Sequence, residues 1–123
     1  RRRTGREVTV TADNSVVQGR RQGLERAVWN LVDNAAKFDP SGAPIEVRVQ
    51  RNTIEVLDRG PGVPADEAGQ IFDRFYRPVA SRSLPGSGLG LSIVKDVAQA
   101  HGGRAYVQPR EGGGSVFGIA LPA

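Results

Sequence analysis

Asn30, Asn34 and Lys37 stand four and three residues apart, in a stretch whose apolar residues recur at helical spacing. At roughly 100° per residue the three fall on one stripe, beside the apolar stripe rather than opposite it. Two carboxamides at the edge of a core must find partners if they are buried. A carboxamide oxygen is a hard ligand suited to Mg²⁺, an ion that usually keeps waters and shares substrate phosphates. A lysine one turn away neutralises such phosphates. Read alone, the same stripe is equally a polar helix edge facing water.

Two further stretches bear on the same chemistry. Asp58-Arg59-Gly60-Pro61-Gly62 follows a strand. A carboxylate there can accept a hydrogen bond from an adenine amine, while Gly60 and Gly62 allow close approach and positive φ. Its composition is also that of a plain turn. Pro85-Gly86-Ser87-Gly88-Leu89-Gly90-Leu91 immediately precedes a helix. Glycines at a helix N-terminus expose N–H groups to an anion, aided by the helix dipole. No lysine follows the last glycine, so this is not a Walker loop, and a loop rather than a strand precedes it, unlike a dinucleotide fingerprint. The bland alternative is a flexible hinge. Between these stretches lie Arg74, Arg77 and Arg82. Any of them could offer a planar donor fork to a terminal phosphate, although most loop arginines are simply solvated. Arg77 is favoured because Ile71-Phe72-Asp73-Arg74-Phe75-Tyr76 anchors it.

The elements that must position these residues follow from periodicity. Val8 and Val10 alternate with polar residues, which predicts a half-buried strand, with a possible return strand over 15–18. Leu24, Ala27, Val28, Leu31, Ala35 and Phe38 predict a helix from about Gln22 to Phe38, stopped by Pro40 and Gly42. Alternation at Ile45, Val47, Val49 and then Ile54 and Val56 predicts an antiparallel hairpin turning at Arg51-Asn52. Asp66 to Phe75 reads as short helical structure and 77–88 as an aperiodic, mobile loop. Leu91 to His101 reads as a helix capped by Gly102-Gly103. Arg104 to Gln108 and Val116 to Leu121 form a last hairpin across Gly112-Gly113-Gly114. This order predicts an α+β two-layer sandwich: a mostly antiparallel sheet with about three helices on one face. Trp29 falls on the helix side away from the apolar stripe.

Composition narrows the classes. The chain has 123 residues, enough for one domain with a real core. It has no cysteine, which excludes disulfides and thiolate metal sites. No apolar run approaches the roughly 20 residues that span a bilayer, and Arg1-Arg2-Arg3-Thr4 opens no signal peptide. The formal charge of +4 allows an acidic partner. The aromatics are only Trp 1, Tyr 2 and Phe 4, without a basic-aromatic stacking motif, so direct nucleic-acid binding is not expected.

Taken together and in this order, the stretches resemble the histidine-kinase branch of the family that also holds DNA gyrase, the Hsp90 chaperones and the MutL repair proteins. Residues 30–38 resemble its N box, 58–62 its G1 box, 72–77 its F box and 86–91 its G2 box; Gly114-Ser115-Val116-Phe117 resembles the closing segment. The F and G2 boxes resemble those of actinobacterial sensor kinases of the MprB and PrrB kind, PrrB foremost. The resemblance implies a Bergerat-type ATP-binding fold with ATP and Mg²⁺ as cofactors. It implies that Asn34 holds Mg²⁺, Asn30 supports that site, Lys37 contacts phosphate, Phe38 lies by the sugar or base, and Asp58 reads the adenine amine. It implies that Gly60 and Gly62 pass close to the base and that Gly86, Gly88, Leu89, Gly90 and Leu91 form the hinge of a lid over about 77–88. Arg77 would assist transfer.

The gyrase and MutL types carry a glutamate where Asn30 stands; an amide cannot deprotonate water, so fast hydrolysis is not expected. The resemblance implies that the acceptor is a histidine on a separate dimerisation domain upstream; His101, the only histidine, reads as a helix cap. The resemblance further implies a piece of a longer sensor kinase of the cell membrane, homodimeric, with this part on the cytoplasmic side and a response regulator acting downstream. The competing readings are a related ATPase, an anti-sigma serine kinase of the same fold, and a non-catalytic docking module.

Overall fold

The computed structural model describes residues 8–12, 20–73 and 90–122. Strand β1 (Val8–Ala12) is followed by helix α1 (Arg21–Phe38), the hairpin β2 (Ile45–Gln50) and β3 (Thr53–Asp58), helix α2 (Gly90–Ala100), and the hairpin β4 (Arg104–Pro109) and β5 (Ser115–Ala120). The five strands form one sheet in the order β1-β2-β3-β5-β4. Only the β1–β2 pair is parallel, with Val8 opposite Ile45; the other three are antiparallel. The expected two-layer sandwich with a mostly antiparallel mixed sheet is therefore what the chain forms. The possible return strand over 15–18 and the loop over 77–88 lie outside the described residues.

Period-two alternation decides what each sheet face carries. Val56 sits opposite Phe117 and Ile54 opposite Ile119, and all four are buried beneath the helices. From α1 the core takes Ala27, Leu31, Val32 and Ala35, and from α2 Val94 and Ala98. The two helices pack on each other, α1 over β3 and β2, α2 over β4 and β5. Trp29 is not turned away as its helical position suggests: it is partly buried and packs against this core.

On the other face, Arg48 pairs with Glu55 at 3.1 Å, and the Tyr106 hydroxyl donates to the same carboxylate. Burial, with the Glu55 carboxylate beside it, pushes the Tyr106 phenol well above its usual range. The Tyr106 ring occupies the space where a side chain on Gly118 would stand.

Two helices, not three, cover the sheet among the described residues. Where a short helix is expected from Asp66, the chain instead makes successive turns with i→i+3 bonds, from Glu67 N–H to Pro64, Ala68 to Ala65, Gln70 to Glu67 and Asp73 to Gln70. Gly69 in the middle of this run disfavours propagation of a regular helix. The turns end with Ile71 and Phe72 buried, Phe72 meeting Phe117 edge-on with ring centroids 6.3 Å apart.

Both helices end on identifiable signals. α2 closes in a Schellman motif: Gly102 N–H bonds the Gln99 carbonyl at 2.9 Å, Gly103 N–H bonds Ala98 at 2.8 Å, and Gly102 has φ +77. His101 contributes more than a favourable charge near the dipole. Its Nδ1 lies 2.8 Å from the Val97 carbonyl, and its Nε2 accepts the backbone N–H of Arg20 at 2.9 Å. Nδ1 must donate and Nε2 must accept, so the ring is the neutral Nδ1–H tautomer. It joins the end of α2 to the residue preceding α1.

Candidate nucleotide site

A cavity of about 540 Å³ opens between the C-terminal half of α1, the end of β3 and the turns that follow it. Asn34, Lys37 and Phe38 reach it from α1, Asp58 to Gly62 from the β3 end, and Leu91 from the first turn of α2. Pro40, Val63, Glu67, Ile71, Ser115 and Phe117 complete the wall. Carboxamide, amine and carboxylate therefore meet around one space, which is the convergence that the separate sequence signals require.

Asp58 lies at the bottom of this space, only 4% exposed. It ends β3 opposite Ser115 of β5. Its Oδ1 accepts the Gly60 N–H at 2.8 Å. Burial raises its affinity for a proton above the ordinary carboxylate value; backbone N–H groups of Gly60 and Ser115 act the other way, the Asp39 charge reinforces the rise, and Arg110 opposes it. The net direction is upward. A buried carboxylate with unspent acceptor capacity is suited to a neutral donor such as an exocyclic amine.

The glycines of this turn act differently from one another. Gly62 has φ +87, a conformation that favours glycine. Gly60 is not among the positive-φ residues. A Cβ there would stand 2.8 Å from the Phe38 carbonyl oxygen, so the close approach that requires glycine is to the end of α1. On the far side, Gly114 has φ +110 and a Cβ on it would lie 2.0 Å from the Asp58 carbonyl oxygen. The Arg59 guanidinium donates to the carbonyls of Glu111 at 3.2 Å and Gly113 at 3.0 Å. The Asp58 turn is thus wedged between α1 and the β4–β5 turn.

Lys37 is exposed at the cavity mouth, with Nζ 5.4 Å from the centroid of the Phe38 ring. Asn30 lies elsewhere. One turn before Asn34, it lines a separate groove of about 410 Å³ with Gln22, Glu25, Arg26, Trp29, Asp33 and Ile93. Its Nδ2 donates to the Arg26 carbonyl at 2.9 Å, and its Oδ1 points toward Gly90, 3.3 Å from where a Cβ on that residue would be. Gly90 opens α2. Arg77, Gly86, Gly88 and Leu89 lie outside the described residues.

No group of three or more His, Cys, Asp or Glu side chains able to hold a metal occurs among the described residues. The oxygen donors on the cavity wall, the Asn34 carboxamide with the buried Asp58, Glu67 and Ser115, do not make a protein cage. They do fit an ion that arrives with phosphates and keeps most of its waters.

Two wall residues and one behind them are not among the site residues expected from the sequence. Glu67 and Ser115 are buried polar residues brought to the cavity by a turn and by strand register. Asp39, 3% exposed, sits behind the wall at the C-cap of α1. Its Oδ1 accepts the Ser41 N–H at 2.8 Å and its Oδ2 the Arg59 N–H at 2.9 Å. The one available hint was an acid immediately before the helix-stopping proline.

The profile of the histidine kinase-, DNA gyrase B- and HSP90-like ATPases matches residues 19–123. The chain belongs to this family. Among its relatives is the signal transduction histidine-protein kinase/phosphatase MprB of Mycobacterium sp. (strain KMS), 45% identical over 98% of this chain and 24% of that protein. The chain therefore spans about a quarter of the length of the curated relatives it matches. A solved mycobacterial sensor histidine kinase MprB superposes with a TM-score of 0.84 at 42% identity, covering 98% of this chain and 86% of that one. The ATP-binding domain of PrrB from Mycobacterium tuberculosis gives 0.70 at 29% identity, covering 94% and 80%. Both kinds of kinase named by the F and G2 boxes are thus relatives in structure. Of the two, MprB has the higher identity and TM-score, whereas the boxes alone point first to PrrB. Within this family the chain is of the histidine-kinase ATP-binding type.

Proposed function

We propose that this chain binds Mg-ATP and presents the γ-phosphate to a histidine on a separate dimerisation domain, as the nucleotide-binding part of a two-component sensor kinase. The observation that carries the reading is the single cavity shared by Asn34, Lys37 and Asp58. Asp58 accepts the adenine amine from the cavity floor, and Phe38, Ile71 and Phe117 offer apolar surface to the base. Lys37 at the mouth neutralises phosphate charge. A magnesium ion bound with the nucleotide would supply further charge neutralisation at the phosphates, with the Asn34 carboxamide oxygen as the protein ligand. Catalysis of this kind consists mainly of positioning and charge stabilisation. Asn30, Arg77 and the glycines of the G2 box retain their proposed roles in transfer and in the lid.

The reading also holds that the chain alone does not phosphorylate itself. His101 is engaged through both ring nitrogens at the end of α2, away from the cavity residues. The homodimer and the membrane-borne sensor belong to the proposed longer protein, and the response regulator is its partner, acting after histidine phosphorylation.

The test is to mix this chain with Mg-ATP and a separately made dimerisation domain and to look for acid-labile phosphate. Phosphate on the acceptor domain, absent with Asp58→Ala, is the expected result. Robust labelling of His101 in the chain alone would refute the mechanism. Undiminished ATP binding by Asp58→Ala would count against the adenine assignment.

A further inference from the structure

We propose that Asp39 is a positioning residue for base recognition, holding the Asp58–Arg59 peptide so that the Asp58 carboxylate faces the base. The inference rests on the adenine reading above and adds to it the group that sets the reader's direction.

The peptide that follows Asp58 is gripped at both ends. Its N–H, on Arg59, donates to Asp39 Oδ2 at 2.9 Å. Its carbonyl, on Asp58, accepts from Arg110 Nη1 at 3.3 Å. Arg110 is itself held by Glu46, with Nη2 to Oε2 at 2.5 Å. A peptide plane engaged through both polar groups resists rotation, and that rotation is what would swing Asp58 relative to the strand. Asp58 Oδ1 is tied in turn to Gly60 N–H. Asp39 comes from a different element, 20 residues earlier in the chain. It is fixed by its own helix end, where its N–H bonds the Ala35 carbonyl at 3.0 Å, and by the Ser41 N–H. The result is a rigid link from α1, which carries Asn34 and Lys37, to the turn that carries Asp58. Carboxylate acceptors of backbone N–H groups are among the stronger hydrogen bonds, and leaving a buried N–H without its partner is unfavourable.

Capping α1 uses only the Asp39 backbone N–H, and a side chain that served merely the local turn would require only the Ser41 contact. The two roles separate in the ratio of affinities for ADP and IDP. Inosine lacks the exocyclic amine, and the phosphates are the same. A variant that merely lowers the folded fraction weakens both ligands equally and leaves the ratio unchanged. Wild-type chain should prefer ADP by about tenfold or more, as expected for a site built around a specific hydrogen bond.

Asp39→Ala should bring the ratio to within about threefold of parity, while thermal unfolding confirms a folded chain. In Asp39→Asn one of the two N–H groups must face an NH₂, so the preference should fall at least about threefold. If Asp39→Ala does not fold, Asp39→Asn decides. Folded Asp39 variants with the wild-type ratio would overturn the proposal, and if Asp58→Ala then still loses the preference, the adenine reading itself stands. A wild-type chain without an ADP preference would sink the adenine reading and this inference together.

Discussion

At the scale of single residues, the cavity is governed by one buried acid. Asp58 has its proton affinity raised, chiefly by burial. Between the ordinary value of 3.8 and the raised one, the folded chain holds a proton that the unfolded chain has released. The contribution of Asp58 to the stability of the free chain therefore falls as pH rises through that window. In the proposed mode base binding has the opposite sign, because the adenine amine is accepted best by the ionised carboxylate. ATP-analogue affinity should decline on acidification, beginning above 3.8, when followed by calorimetry across pH; the same decline in Asp58→Asn would show that another group is responsible. Asn34→Ala should weaken binding of the analogue by about tenfold with Mg²⁺ present and hardly at all in its absence. Equal losses in both conditions would remove Asn34 from the metal.

Much of this was legible beforehand. The spacing of Asn34 and Lys37 puts both on one helix edge, and the glycine-rich run marks Asp58 as the end of a strand. Asp39 and Glu67 were not legible, since their burial depends on contacts made by other elements; Ser115 lies in the closing segment, but its place on the cavity wall depends on strand register. Asn30 shares the sequence stripe but not the described cavity, because it stands one turn, about 6 Å, farther along the helix axis and lines a separate groove.

At the scale of elements, local periodicity was sufficient for α1, α2 and both hairpins, whose bounds fall within a residue or two of those expected. It failed where local bonds and tertiary burial compete. Residues 65–72 carry apolar residues at plausible spacing but form i→i+3 turns around Gly69. The parallel β1–β2 pairing joins segments separated by the whole of α1, and no local pattern encodes it. The β4–β5 turn illustrates how an element serves the site. Its three glycines all have positive φ, and the last abuts the Asp58 carbonyl. Gly114→Ala should lower unfolding free energy by about 2 kcal/mol or more in a denaturant titration, and should weaken nucleotide binding beyond that. A neutral outcome would mean that the turn relaxes without disturbing β3.

At the scale of the whole molecule, one core supports both the helices and the site. Leu31 is fully buried at the centre of α1, and Leu31→Ala should cost about 2 to 5 kcal/mol by chemical denaturation. The same core brings Phe117 to the cavity wall, so this loss should also loosen nucleotide binding. No helix among the described residues is long and apolar enough to cross a membrane.

The His101 bridge reaches across this scale. Because its ring nitrogens serve two different helices, protonating the ring would set a donor against the Arg20 N–H and undo one side of the link. The sequence holds no other histidine. A single imidazole resonance, assignable without mutagenesis, therefore reports whether this link remains fastened when nucleotide is added to test the proposed cavity at the opposite end of α1.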